Sequence, residues 1–177
     1  MGIDLSPAPY PADDRSIGGA IEAVGVDHFG APGTLYVAAM LTRAIRRTRV
    51  KRSGFSGLML PVLEDSVLAR CMAERPMSLH ELLLYSAVCG TGLDTVPLPG
   101  DVSEAELAGV YLDVAALSVA LNGKPLTVRL LPVPDAVAGD MTAYTFEYFA
   151  NTRVPPIAEA GASGILRRPD LGVSASA

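Results

Sequence analysis

Tryptophan is missing from this sequence, and cysteine and histidine occur only twice each in 177 residues. Cys71 and Cys89 are too few for a disulfide framework. Neither His28 nor His80 has a cysteine or a second histidine at metal-ligating spacing, so no zinc site is expected. Charge is also scarce, at 19% of residues, where ordinary soluble domains carry roughly a quarter. The balance is acidic, −5 at neutral pH, which argues against a general binder of nucleic acid or acidic membranes. No apolar run is long enough to span a bilayer, because Gly90, Gly92, Asp94 and Asp113 break the longest ones. The opening "MGIDLSPAPYP" has neither the basic start nor the apolar core of a secretory signal. A reducing cytoplasm is the expected compartment, with no cofactor and no membrane or nucleic-acid partner. The P-loop, the dinucleotide fingerprint and the G-x-S-x-G elbow are all missing.

Apolar residues, in contrast, make up 50% of the chain. A surplus of apolar surface calls for something to cover it, so a homo-oligomer or a partner chain is expected. Strand-like and helix-like stretches alternate, which defines an α/β class. Ile3–Leu5 reads as a short strand, and Ser16 opens a helix to about Val24. Thr34–Arg49 has a helical apolar pattern with basic residues gathered late. Gly57–Val62 reads as a buried strand, and Glu64 and Asp65 as the first turn of the next helix. "SLHE" at Ser78–Glu81 and "SEAE" at Ser103–Glu106 are capping boxes. The first starts a helix expected to end at Cys89, with Gly90 as its left-handed cap. The second starts a long helix to about Leu121, apolar on nearly every side and so expected to be buried on more than one face. Leu126–Val133 is a strand with apolar residues on both faces, the mark of a sheet covered on both sides. Phe146–Phe149 is a weaker strand candidate. Residues 1–157 form the expected domain, and the small, polar residues from 158 onward a mobile tail.

The chemistry-bearing candidates each have a structural alternative. Cys89 lies beside a glycine-rich loop, where Gly90 and Gly92 would let a ligand approach the backbone. A buried sulfur at a helix end is the plainer reading. Glu64 and Asp65 follow a strand, at the edge where α/β sheets bind ligands. They suit acid/base work or a weak Mg²⁺ site, and equally a helix first turn. If Thr95–Leu98 is a short strand, Asp94 and Asp101 bracket it; Asp94 has no evident capping role and is a catalytic candidate, whereas Asp101, a candidate for binding substrate, equally suits a cap or loop. Asp4 is a strand-end carboxylate of the same kind. Arg129, in the middle of an apolar strand, needs an acidic partner. Arg129 and Arg153 are the candidates for gripping a substrate carboxylate. The basic run from Arg43 to Arg52 lacks interleaved stacking aromatics and reads as a solvated helix end.

Five segments occur in a recognisable order: "IDLSPAPYP", "FGAPGT", "SGLMLPVLEDSVLA", "LLLYSAVCGTGLDTVPLPGD" and "GDMT". Together they closely resemble the carboxy-terminal part of uncharacterised protein family 0210, also called domain of unknown function 711. The resemblance runs from about Ile3 to about Pro156. It implies a fold like part of the barrel of pyruvate formate-lyase and other glycyl radical enzymes. It also implies a large amino-terminal region ahead of the matched segments, so that the chain resembles the C-terminal portion of a family member: a split-gene subunit, a truncated reading frame or a processed piece. No reaction comes with the resemblance, and "EAGASGILRRPDLG" does not resemble a radical-bearing glycine loop. The expected function is an enzyme, or the C-terminal subunit of one, acting on a small polar, anionic metabolite by thiol or carboxylate chemistry. The alternative is a non-catalytic structural or regulatory subunit docked on a partner.

Overall fold

The computed structural model describes residues 1–158 and 161–168. Six α-helices and two strands follow in the order α1 (Ile17–Ala23), α2 (Thr34–Arg46), α3 (Ser66–Glu74), α4 (Leu79–Ser86), β1 (Gly92–Pro99), α5 (Glu104–Ala120), β2 (Thr127–Val133) and α6 (Ser163–Leu166). A short 3-10 turn at Asp13–Arg15 precedes α1. The architecture is mixed α/β, with β1 and β2 paired in parallel and joined through α5.

Helix starts follow local chemistry closely. Ser78 and Ser103 each accept the backbone N–H three residues on, and Glu81 and Glu106 reach back to the cap residues. Both capping boxes read from the sequence therefore form. The Ser78 and Ser103 hydrogen bonds hold the Glu81 and Glu106 carboxyls below the ordinary glutamate range.

The expected strand at Gly57–Val62 is instead an irregular extended segment flanking β1. The Gly90 N–H donates to Leu58 O at 2.6 Å, and the Val62 N–H to Asp94 O at 3.0 Å. Pro61 has no N–H to give, which interrupts the ladder here. Leu58, Leu60, Val62 and Leu63 nevertheless join Leu93, Val96 and Leu98 of β1 in the interior. Phe29, Leu68, Met72 and Tyr85 from the helices close over them, with Phe29 and Tyr85 rings 5.4 Å apart.

Helix α4 stops at Ser86, short of Cys89, and Gly90 does not take the left-handed conformation. A distant lysine terminates the helix. Lys124 Nζ donates to Ser86 O and Cys89 O, both at 2.6 Å. Burial depresses the ammonium pKa, yet the carbonyl ring satisfies its N–H groups. Gly90 serves packing instead: a Cβ there would lie 2.5 Å from the Gly57 backbone. Gly90→Ala is therefore expected to cost about 1–3 kcal/mol or more, read as a lowered urea midpoint; an unchanged midpoint would refute this close contact.

Two further expectations change. Phe146–Phe149 is a turn closed by the Phe149 N–H on Phe146 O, because its aromatic rings fold back on one another. Along α5 only Val114 is buried, and β2 is half-exposed along much of its length. Neither is covered on both sides as its composition suggests. The expected mobile tail falls partly on residues 159–160 and 169–177, outside those described.

Candidate active site

A bulge in β1 builds the polar centre of the molecule. Leu93 pairs with Val128, but the next register pair is Val96 with Leu130, so Asp94 and Thr95 form an irregularity in the strand. Thr95 sits at φ +43°, which a β-branched residue rarely adopts. Such a conformation costs about 1–3 kcal/mol, met by the surrounding structure. Thr95 is held there in part by the Leu63 N–H, which donates to its hydroxyl at 3.3 Å.

At this bulge the buried carboxylate of Asp94 meets Arg129 from the facing strand. Arg129 Nε donates to Asp94 Oδ1. The other end of the guanidinium grips Glu64 as a fork, Nη1 to Oε1 at 3.2 Å and Nη2 to Oε2 at 3.1 Å. Such a planar two-point grip is the strong form of the carboxylate–guanidinium pair. The Asp94 side chain is 1% exposed, Glu64 28% and Arg129 48%, so the cluster runs from the core to the surface. The Asp94 hydrogen bond, with both carboxylate charges, pushes the Arg129 pKa up and keeps it cationic. The cluster carries two negative charges and one positive. Its three bonds leave guanidinium N–H donors to spare.

An aromatic surface adjoins Glu64. The Ala150 N–H donates to Leu63 O at 2.7 Å, anchoring the preceding loop beside Glu64. In that loop Phe146 contacts Tyr148 and Phe149, Phe149 contacts Tyr144, and Tyr148 meets Tyr10 edge-on at 5.7 Å. Arg15 stacks over Tyr10 at 4.3 Å. Sequence reading missed this cluster, although aromatics concentrate visibly between Tyr144 and Phe149. It also missed the Thr95 strain, which has no local signal.

The other candidate residues lie apart from the cluster. Asp65 is fully buried and accepts five hydrogen bonds, from Ser16 Oγ and from the N–H groups of Ile17, Gly18, Val67 and Leu68. It caps α3 and holds the start of α1 at once, so its oxygens are not free to join Glu64 around Mg²⁺. Among the described residues no three His, Cys, Asp or Glu side chains converge as a metal site. Cys89 has no exposed surface; its Sγ lies 3.9 Å from Ser86 O and from Thr91 Oγ1. Gly90 packs on Gly57, and a Cβ on Gly92 would meet Thr127 O at 2.3 Å. These glycines bring backbone against backbone, leaving no cradle for a ligand. Asp101 is exposed in the turn before α5. Arg153 ties the end of α3 to the loop at Gly139, Nε to Ala73 O at 2.9 Å and Nη1 to Gly139 O at 2.8 Å. Asp4 accepts from Ser6, Phe55 and Ser56, and the Ser6 hydroxyl chiefly lowers its pKa. The second cysteine, Cys71, is buried against Glu22, and burial pushes its thiol up to about 11. A thiol that high is protonated and inert at neutral pH.

Fold and site together define an α/β protein with a parallel strand pair, a helical crossover and a polar cluster at a strained bulge. Its sequence matches the family described as Uncharacterised ACR (DUF711) over residues 1–148, and the chain belongs to that family. It is 42% identical over 142 residues to a UPF0210 protein of Pyrobaculum arsenaticum, covering 78% of this chain and 32% of that protein. UPF0210 proteins of Lacticaseibacillus paracasei and Carboxydothermus hydrogenoformans are each 36% identical over 146 residues, covering 80% of this chain and 32% of theirs. The chain thus spans about a third of the length of the curated relatives it matches. No solved structure matches it. No helix among the described residues is long and apolar enough to cross a membrane.

Proposed function

We propose that this chain is part of a UPF0210 enzyme that binds a small anionic metabolite at Arg129, with Glu64 as the acid/base group. The observation that supports this most is the position of Arg129. Asp94 fixes its Nε from the core, while its outer face remains half in solvent beside Glu64. Asp94 and Glu64 together engage three of the guanidinium N–H groups, and the donors that remain lie in a fixed plane, which suits a ligand carboxylate or phosphate. Glu64 lies within reach of any ligand seated there and is itself partly solvated, as a proton-transfer group must be. The reading rests on carboxylate chemistry; Cys89, sealed in the core, takes no part.

Glu64 competes with an anion for Arg129, and this makes the reading testable. Acetate, malate, citrate and phosphate are the probes, with thermal unfolding as the readout. At least one should raise the midpoint of the wild-type chain. Glu64→Gln should enlarge that shift, and Arg129→Gln should remove it. No shift with any of the four, or equal shifts in both variants, would overturn the assignment.

A further inference from the structure

We propose that the free edge of β2 and the outward face of α5 form one docking surface for the part of the UPF0210 architecture that this chain does not span. The surface goes beyond the chemistry assigned to Glu64 and Arg129 and stands on separate observations. Among the described residues β2 pairs only with β1, so its other edge offers unpaired backbone donors and acceptors. A strand edge of this kind is a template for another strand.

Helix α5 supplies the second observation. Leu107, Val110 and Val114 turn toward the core. On the flank beside them, Tyr111 and Val119 are each 52% exposed, and Ala115, Ala116 and Ala120 are exposed with them. Tyr111, Ala115 and Val119 recur every four residues and make one uncharged ridge, and small alanines beside them permit close helix packing. Among the described residues, the later part of the chain lies against the earlier turns of α5: the Ala162 N–H donates to Ala105 O at 3.1 Å, and Gly161 lies against the Ala105 backbone. An apolar helix left this open has not met its full set of neighbours.

The occupant follows from length and from topology. The relatives carry about two-thirds of their length outside the matched region, so the same architecture contains much more chain to place. A strand–helix unit fits both features together: its strand adds in parallel beside β2, and its helix lies on the α5 ridge. A second copy of this chain fits less well, because two-fold symmetry would pair the two β2 edges antiparallel. Arg129 lies on β2, so the added strand borders the polar cluster and contributes to its outer wall.

The test co-expresses the full chain with the remaining region of the Pyrobaculum arsenaticum relative, and separately with that of the Lacticaseibacillus paracasei relative. A one-to-one complex in solution is expected with at least one of them, with slowed amide exchange along β2 and α5. Ala116→Glu and Val119→Lys, both at exposed positions, should each weaken it by roughly tenfold or more. Tyr36→Glu, at an exposed position on α2, should leave it unchanged. No complex with either region overturns the proposal. So does a complex insensitive to both α5 variants, or a homodimer that protects β2 and α5 by itself.

Discussion

Asp65→Ala is expected to destabilise the protein by roughly 3–5 kcal/mol, the larger of the two strongest effects foreseen here. The residue is fully buried and accepts five hydrogen bonds. Its removal takes the cap from α3 and the anchor from α1 in one step. Loss of an N-cap costs typically about 1 kcal/mol. The greater part of the effect comes from donors left buried without acceptors, each costing about 1–3 kcal/mol. Only α1 and α3 share this carboxylate, and their mutual packing depends on it, as Gly18 against Leu68 and Val67 illustrates. Ser16→Ala, which removes a single donor and the α1 cap, should cost about 1 kcal/mol. Urea unfolding of the three proteins checks the order. A loss below that of Ser16→Ala would show that the two helices are joined by other means.

Arg129→Leu is expected to cost about 2–4 kcal/mol, because it strands the Asp94 charge in the core. Asp94 is 1% exposed, whereas Arg129 is 48% exposed. Water reaching in from the Arg129 side offsets part of the penalty and sets the lower end of that range. Asp94→Asn, which removes the charge instead of its partner, should cost less. The double variant should be more stable than the sum of the single losses predicts, since the charge left unpaired by one change is removed by the other. A double-mutant cycle in urea tests this directly. Strict additivity would mean that solvent, and not Arg129, satisfies Asp94. The result also bears on function, because an Arg129 held rigidly from the core is what presents a fixed face to an anion.

The candidate residues were found in the sequence as types and places, but not as a group. Glu64, Asp94 and Arg129 were each legible as residues needing an explanation: two carboxylates near strand ends and an arginine inside an apolar strand. Nothing local indicated that they meet. Arg129 is 35 positions from Asp94 and 65 from Glu64, and the pairing depends on the parallel register of β1 with β2. Asp65 and Glu64 are neighbours in sequence, yet one faces inward to cap two helices and the other outward to the cluster. Cys89 carried the clearest chemical label in its loop, and the core closes over it.

Sequence alone determined the helix starts at Ser78 and Ser103, the strand at Thr127, and the family. Capping boxes form within one turn, from residues three apart, and depend on little beyond that turn. Tertiary structure decided how α4 ends, which carboxylates pair, and where aromatic rings gather. Lys124 reaches back across 38 residues to Ser86, and Tyr10 meets Tyr148 from the far end of the chain. Such contacts are selected by chain crossovers and strand register, which no short window of residues encodes. The burial of α5 belongs with them. Its apolar composition fixed that the helix needs neighbours on several sides, but burial is a property of the neighbours, and the described residues bury only Val114 of α5.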